Sequence, residues 1–318
     1  MKQSFSIIIP VYNRPNEIDE LLESLTKQDF TGYFEVLIIE DGSTVKSDII
    51  VEKYKSKLNL NYLFKENSGA GASRNYGMEN ALGNYFIILD SDVIVPKQYL
   101  SEVKKGLDTK YTAAFGGPDT AHPSFTPLQK AINYAMTSIL TTGGIRGKKQ
   151  AVGEFQPRSF NFGLSKIAFE KTQGFSKMKN GEDIDLTFRL WENGFDTQLL
   201  DKAFIYHKRR SSLQEFFTQT YGFGSARPIL NEKYPETAKL FYWFPSLFII
   251  GFDSSIIAAF FDYPHALFVF LWYLLFVFLD AFIQNRNLKV ALLSIVAVYT
   301  QFAGYGLGYL KAQLLSKK

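Results

Sequence analysis

Asp90-Ser91-Asp92 sets two carboxylates one residue apart, directly after the apolar run Tyr85 to Leu89. Carboxylate oxygens are hard ligands, and one or two of them, completed by substrate phosphates, suit Mg²⁺ or Mn²⁺. As a lone motif the triplet also describes a solvated turn at a strand end. Asp41, in Glu40-Asp41-Gly42-Ser43, follows a second apolar run. A carboxylate there can accept hydrogen bonds from a base or ribose, or cap a tight turn with Gly42. The segment Asn67-Ser68-Gly69-Ala70-Gly71-Ala72-Ser73-Arg74-Asn75 joins small residues to a helix start and an arginine. Small residues let a ligand approach the backbone and arginine pairs with phosphate; an ordinary loop-to-helix junction has the same composition. Gly181-Glu182-Asp183-Ile184-Asp185 opens a helical pattern carried by Leu186, Leu190 and Trp191. Asp183 is a candidate general base there, against the alternative of acidic N-capping. Asp185 and Arg189 are four apart and are expected to pair structurally.

These groups need a scaffold, and the pattern of apolar runs describes one. Phe5 to Pro10 is a short, nearly continuous apolar run, as buried strands are, Phe34 to Ile39 is a second such strand, and Leu60 to Phe64 and Tyr85 to Leu89 read as a third and a fourth strand. Helical spacing falls between them, over Pro15 to Gln28, Val45 to Leu58 and Ala70 to Leu82. Alternation of this kind predicts a parallel sheet with helices on both faces, and ligands bind beyond the C-terminal ends of such strands. Pro10-Val11-Tyr12-Asn13, Glu40-Asp41 and Asp90-Ser91-Asp92 all occupy those ends. No GxGxxG follows the first strand and no Walker A lysine motif is present, which counts against a dehydrogenase and a phosphate-loop NTPase. Residues 116 to 160 read as loops around one helix, Leu128 to Leu140. A basic stretch, Gly143 to Lys149, reads as an exposed loop, the alternative being a segment that closes over a diphosphate or a lipid-linked acceptor.

The chain has 318 residues, no Cys, and a net charge of +4. That excludes a disulfide scaffold, a thiol nucleophile and a Cys-based metal site, and gives little reason to expect nucleic acid as a partner. Charge is unevenly spread: between Leu240 and Leu310 only Asp253, Asp262, Asp280, Arg286 and Lys289 are charged. The expected organisation is therefore a cytoplasmic domain over 1–239, then a membrane-associated helical region over 240–318. Pro264 to Ile283 and Val290 to Leu310 qualify as spans. In Leu240 to Phe261, Pro245 is expected to kink the helix and Asp253 to be costly in lipid. Three spans would put Arg286 and Lys289 inside, as the positive-inside rule favours, and Lys311, Lys317 and Lys318 outside, as it does not. Two spans reverse both. Gly304, Gly306 and Gly308 permit close helix packing. No signal peptide is visible, so the expected location is the inner or plasma membrane, multi-pass, with the catalytic domain in the cytoplasm.

Taken in order, SIIIPVYN, EDGS, NSGAGASRN, LDSD and GEDIDL resemble the family 2 inverting glycosyltransferases of GT-A fold, over about residues 4 to 210. The resemblance implies a GT-A type, Rossmann-like, mostly parallel sheet with helices on both faces, its nucleotide-sugar half over about 1–115 and its acceptor half over about 116–239, followed by an α-helical membrane region. It implies that Asp41 contacts the nucleotide base, with Pro10, Tyr12 and Asn13 lining that pocket and Arg74 near the nucleotide. Asp90 and Asp92 would be the metal-binding pair, Asp92 the more direct ligand to Mg²⁺ or Mn²⁺, with His207 a possible third. Asp183 would be the catalytic base. Glu40 replaces the Asp that many members carry before DGS. Gln219 and Arg227 loosely resemble the QxxRW signature of processive synthases, but the Trp is absent. Lys208, Arg209 and Arg210 suit anionic lipid headgroups. The expected reaction is metal-dependent inverting transfer from a nucleotide-sugar, a UDP-sugar first, to a hydroxyl of a lipid-linked glycan or polysaccharide. The alternatives are transfer to polyprenyl phosphate and a non-catalytic nucleotide-sugar-binding membrane subunit.

Overall fold

The structure is a computed structural model that describes residues 3–143 and 155–315. The basic stretch from Gly143 to Lys149 therefore lies, beyond its first residue, outside the described residues, as do Lys317 and Lys318. The described residues form two compact units, one from residues 3–122 and 155–208, the other from 123–143 and 209–315.

In the first unit the four apolar runs are strands: β1 (Phe5–Val11), β2 (Phe34–Asp41), β3 (Leu60–Lys65) and β4 (Tyr85–Leu89). Helices α1 (Pro15–Thr26), α2 (Asp48–Glu52) and α3 (Ala70–Glu79) connect them. There follow β5 (Val93–Ile94), α4 (Tyr99–Thr109), β6 (Ala114–Gly116) and β7 (Asp119–Thr120). The second unit then contributes α5 (Pro127–Thr137) and α6 (Ile139–Thr142). The first unit resumes with β8 (Asn161–Ser165), α7 (Lys166–Thr172), α8 (Glu182–Glu192), β9 (Thr197–Leu199) and β10 (Ile205–His207). The main sheet has the order β3-β2-β1-β4-β8-β6-β9, parallel except at β8. A second sheet has the order β5-β10-β7. One buried apolar layer covers each face of the main sheet, Ile7, Ile9 and Leu21 on one and Ile8, Ile39 and Met78 on the other. Alternate residues of β1 thus feed two cores, which is why the strand reads as a continuous apolar run.

Two expectations are corrected here. Only Asp48–Glu52 of the stretch Val45 to Leu58 is helix, followed by turns. The β-branched run Ile49-Ile50-Val51 loses side-chain freedom in a helix, and only Val51 of that helix is buried to compensate. Residues 116 to 160 hold more than one helix: Ser138 has extended backbone, caps α6 through Leu140 N–H, and separates it from α5.

The second unit continues with α9 (Leu213–Lys233), α10 (Phe244–Ala259), α11 (His265–Asn285) and α12 (Leu288–Leu315). Three of its stretches, Leu240–Ala259, His265–Asn285 and Leu288–Leu315, are long and apolar enough to cross a membrane. Pro245 does not kink α10. It sits in the first turn, where a missing N–H costs nothing. Arg227 is buried in this unit, with Nε donating to Asn231 (2.8 Å), Nη2 to Thr237 (2.7 and 3.0 Å), and the guanidinium 4.1 Å over the Tyr242 ring. Those partners give it a packing role. The closest approach in the unit is between α9 and α12, where a Cβ on Gly224 would lie 2.0 Å from the Tyr305 carbonyl oxygen. Gly224→Ala is therefore expected to destabilise the second unit by about 1–3 kcal/mol, read as a lower apparent Tm of the full chain in detergent; an unchanged Tm would contradict the contact.

Candidate active site

The site residues of the first unit gather at the C-terminal ends of β1, β2 and β4, and the second sheet completes them. β2 ends in Asp41, whose carboxylate accepts from the Lys65 ammonium, from Ser68 N–H and from Gly69 N–H, the last two at 2.9 Å. Lys65 is the last residue of β3 and pairs with Asp41 in register. Burial pushes the Asp41 carboxyl up, but Lys65 and the Ser68 and Ser73 hydrogen bonds outweigh it and hold it below its ordinary value. A carboxyl lowered in this way stabilises the fold above its unfolded pKa of about 3.9, and the benefit disappears as pH falls through the folded value. Asp41→Asn is thus expected to lower Tm near neutral pH and to lose that deficit progressively below about pH 4. A pH-independent deficit would contradict the sign.

The neighbouring residues serve the loops. Glu40 is fully buried and accepts from Ser47 N–H (2.8 Å), Tyr62 Oη (3.1 Å) and the Ser43 hydroxyl. Asn13 has φ of 55° and its side-chain oxygen accepts from Thr44 and Val45 N–H at 2.8 and 2.9 Å. It locks the loop after β1 to the loop after β2. Pro10 is buried within β1 opposite Ile39, while Tyr12 is exposed.

Asp92 and His207 are far apart in sequence and adjacent in space. In the second sheet β10 runs antiparallel to β5 with His207 opposite Val93, and Lys208 N–H donates to the Asp92 carbonyl oxygen at 2.9 Å. His207 Nε2 stands 3.2 Å from Asp92 Oδ1, and Nδ1 stands 3.5 Å from Asp119 Oδ2. Arg14 holds the other Asp92 oxygen at 2.6 Å. Burial pushes the Asp92 carboxyl up, yet His207 and Arg14 more than offset this and hold it well below the usual carboxylate range. Donor atoms of Asp90, Asp92 and His207 all lie within 4.8 Å of one another. The set fits a divalent cation: two carboxylates and an imidazole suit Mn²⁺ or Mg²⁺, and buried Asp92 Oδ1 faces the imidazole nitrogen without an aligned hydrogen bond.

Arg74 occupies a position that the sequence does not reveal. Its buried guanidinium bridges Asp90 (2.8 Å) and Glu182 (2.9 Å) and lies 5.1 Å from the Phe175 ring. Asn75 fastens the same helix to Phe175 through two 2.8 Å hydrogen bonds to its backbone. Burial pushes the Glu182 carboxyl up, the Asp183 charge adds to this, and Arg74 only partly opposes them. Gly181, with φ of 80°, turns the chain into α8 and places Asp183 in its first turn. Asp183 Oδ1 accepts from Ile184 N–H (2.8 Å) and Oδ2 from Ser159 N–H (3.2 Å). Asp185 is fully buried and pairs with Arg189 at 2.9 Å, the structural pair its spacing predicts. Sequence reasoning missed Arg14, Lys65 and Asp119 as partners. Lys65 had a signal, since it ends a strand on the same sheet edge; Asp119 had none.

The sequence profile described as Glycosyl transferase family 2 matches residues 6–176. Poly(ribitol-phosphate) beta-N-acetylglucosaminyltransferase TarS of Staphylococcus aureus is 40% identical over 111 residues, 34% of this chain and 19% of that protein. Succinoglycan biosynthesis protein ExoA of Rhizobium meliloti is 25% identical over 227 residues, 70% of this chain and 68% of that one. Chondroitin synthase of Pasteurella multocida is 27% identical over 265 residues, 72% of this chain and 27% of that one. The chain thus matches about a fifth of TarS and about a quarter of chondroitin synthase. Among solved structures, mannosyltransferase PcManGT of Pyrobaculum calidifontis, in complex with GDP-Man and Mn²⁺, shares the fold with a TM-score of 0.61 at 16% identity, over 100% of this chain and 89% of that one. Staphylococcus aureus TarS 1–349 in complex with UDP-GlcNAc has a TM-score of 0.51 at 20% identity, over 99% of this chain and 91% of that one.

Proposed function

The chain belongs to glycosyl transferase family 2, and from that premise we propose that it is a metal-dependent inverting glycosyltransferase. The donor is a nucleotide-sugar, a UDP-sugar first, and the acceptor is a hydroxyl of a lipid-linked glycan or polysaccharide at the cytoplasmic face of a membrane. The observation that carries this reading is the pairing of Asp92 with His207 beside Asp90. It unites residues from two sheets into one hard-ligand set at the end of β4. The UDP-GlcNAc complex of TarS supports the donor class, and three relatives named for polymer synthesis support the acceptor class. The three apolar helices support the membrane location.

In this reading Asp92, Asp90 and His207 hold the cation. When bound, it neutralises charge developing on the leaving nucleoside diphosphate. Asp41 accepts a hydrogen bond from the nucleotide base with the lone pairs that Lys65, Ser68 and Gly69 leave. Pro10, Tyr12 and Asn13 border that pocket. Arg14 keeps one Asp92 oxygen in place, and Arg74 fixes Asp90 while engaging Glu182. Asp183 is then the carboxylate of the pair that receives the acceptor hydroxyl's proton. Oxygen attack on the anomeric carbon displaces the nucleoside diphosphate in one step and inverts that centre.

Asp92→Asn tests the donor half of the proposal. Titration of UDP into the full chain should show affinity that rises with Mn²⁺, and the variant should lose that gain by about tenfold or more. A Mn²⁺ dependence equal to the unmutated protein's would overturn the assignment.

A further inference from the structure

The second unit resolves which of its apolar helices meets lipid. This inference rests on the membrane location proposed above. Consecutive spans alternate in direction, so the first and third of three must run the same way. Here α10 and α12 run in opposite directions. Trp243 packs on Tyr309 with centroids 5.0 Å apart, Phe248 on Phe302 at 4.9 Å, and Phe252 on Tyr299 at 5.8 Å. Residue numbers rise along one helix as they fall along the other. Ser246 donating to the Gly306 carbonyl at 3.0 Å fits the same register. Length and hydropathy qualify both helices as spans, and the packing denies that they are the first and third of an alternating set.

The neighbours of α12 identify which helix stays out. A Cβ on Gly304 would lie 2.1 Å from Thr220 Oγ1, and one on Gly308 would lie 2.2 Å from the Tyr221 carbonyl oxygen. Ser225 Oγ reaches the Gly308 carbonyl at 3.3 Å. The C-terminal half of α12 is thus sheathed by α9, and the two run parallel. On its outer side α9 exposes Gln214, Glu215, Thr218, Glu232 and Lys233. Immersing those groups beside a spanning α12 would be prohibitive, since a charge at mid-membrane costs about 2.5–3.5 kcal/mol even on the lenient insertion scale. Burial agrees: 44% of the apolar window of α12 is buried inside the protein, against 11% for α11. A helix that is apolar all round is either lipid-embedded or a core helix, and α12 packs against α5, α9, α10 and α11. By contrast α11 exposes Val269, Trp272, Phe276, Leu279 and Ile283 along one stripe of helical spacing.

We propose that α12 does not cross the membrane. It is the buried axis of a helical unit that rests on one face of the bilayer. The hydrocarbon is entered through the α11 stripe and the exposed aromatic turn at Phe260, Phe261 and Tyr263, while the segment from Trp243 to Phe252 stays level with α12, on which it packs. The glycines of α12, which would suit a helix interface within lipid, pack here on a helix with a water-facing side. Both ends of α12 then lie on the same face of the membrane, so that Lys289 and Lys311 share a compartment.

The chain has no cysteine, which makes the test direct. Lys289→Cys and Lys311→Cys alter exposed side chains outside the proposed site. Each full-length variant is placed in sealed vesicles of one orientation and treated with a membrane-impermeant maleimide before and after permeabilisation, with labelling in detergent as the reference for full reactivity. The expected result is that both positions label before permeabilisation or both only after it. Labelling of one before and the other only after would overturn the proposal, because α12 would then span. The underlying membrane reading fails differently: the protein would be absent from the membrane pellet altogether.

Discussion

Asp183→Asn should bind donor and metal as the unmutated protein does and transfer sugar about 10²–10⁴-fold more slowly, the usual range for loss of a positioned general base. In barrier terms that is about 3–5 kcal/mol. The substitution is mild for the fold. Asparagine keeps one side-chain oxygen to accept from Ile184 N–H, the shorter of the two hydrogen bonds Asp183 receives. It removes the second carboxylate oxygen and with it the capacity to take a proton. The loss should therefore fall on kcat, with KM for the donor nearly unchanged. Glu182 beside it is engaged by Arg74, which holds Oε1 at 2.9 Å. Full transfer activity in Asp183→Asn would remove Asp183 from the mechanism.

Arg74→Met should strongly destabilise the first unit. The guanidinium is buried and compensates two partly buried carboxylates, Asp90 and Glu182. Removing one partner of a buried ion pair typically costs about 3–5 kcal/mol, because the remaining charge has no replacement solvent. The penalty should depend on pH with a definite sign. Burial and the Asp183 charge already raise the Glu182 carboxyl above its ordinary value, so its neutral form is favoured in the fold. A raised carboxyl stabilises below its unfolded pKa and loses that contribution as pH rises through the folded value. Without Arg74 the folded value rises further, so the deficit of Arg74→Met should widen from pH 5 to pH 8. Arg74→Met combined with Glu182→Gln should recover part of it. Urea unfolding at several pH values measures both effects, and a deficit that stays flat or shrinks toward alkaline pH would refute the account of the cluster.

Much of the first unit was legible because burial on both faces leaves a simple signature. β1, β2 and β4 are buried and nearly continuous apolar runs, and the polar residues after each mark one sheet edge, whereas β3 is a half-exposed edge strand. The acids of the site were legible for the same reason: Asp41, Asp90 and Asp92 end such runs, and Asp183 opens an amphipathic helix. Their partners were not. Glu182 lies 108 residues from Arg74, and nothing local links them. His207 meets Asp92 only because β10 pairs with β5, a two-residue strand with no periodicity to detect. In the second unit hydropathy located all three helices but carried no directional information. The side-by-side contacts of α10, α9 and α12 supply that, and they are tertiary.

The most direct test of the central claim is turnover on a donor panel. Purified full-length protein is incubated with Mn²⁺ and UDP-, GDP- or dTDP-sugars, with a lipid extract as acceptor source, and nucleoside diphosphate release is followed. The account predicts release from one donor, increased by the extract, abolished by EDTA and lost in Asp183→Asn. Release that persists undiminished in EDTA, or in Asp183→Asn, would contradict it.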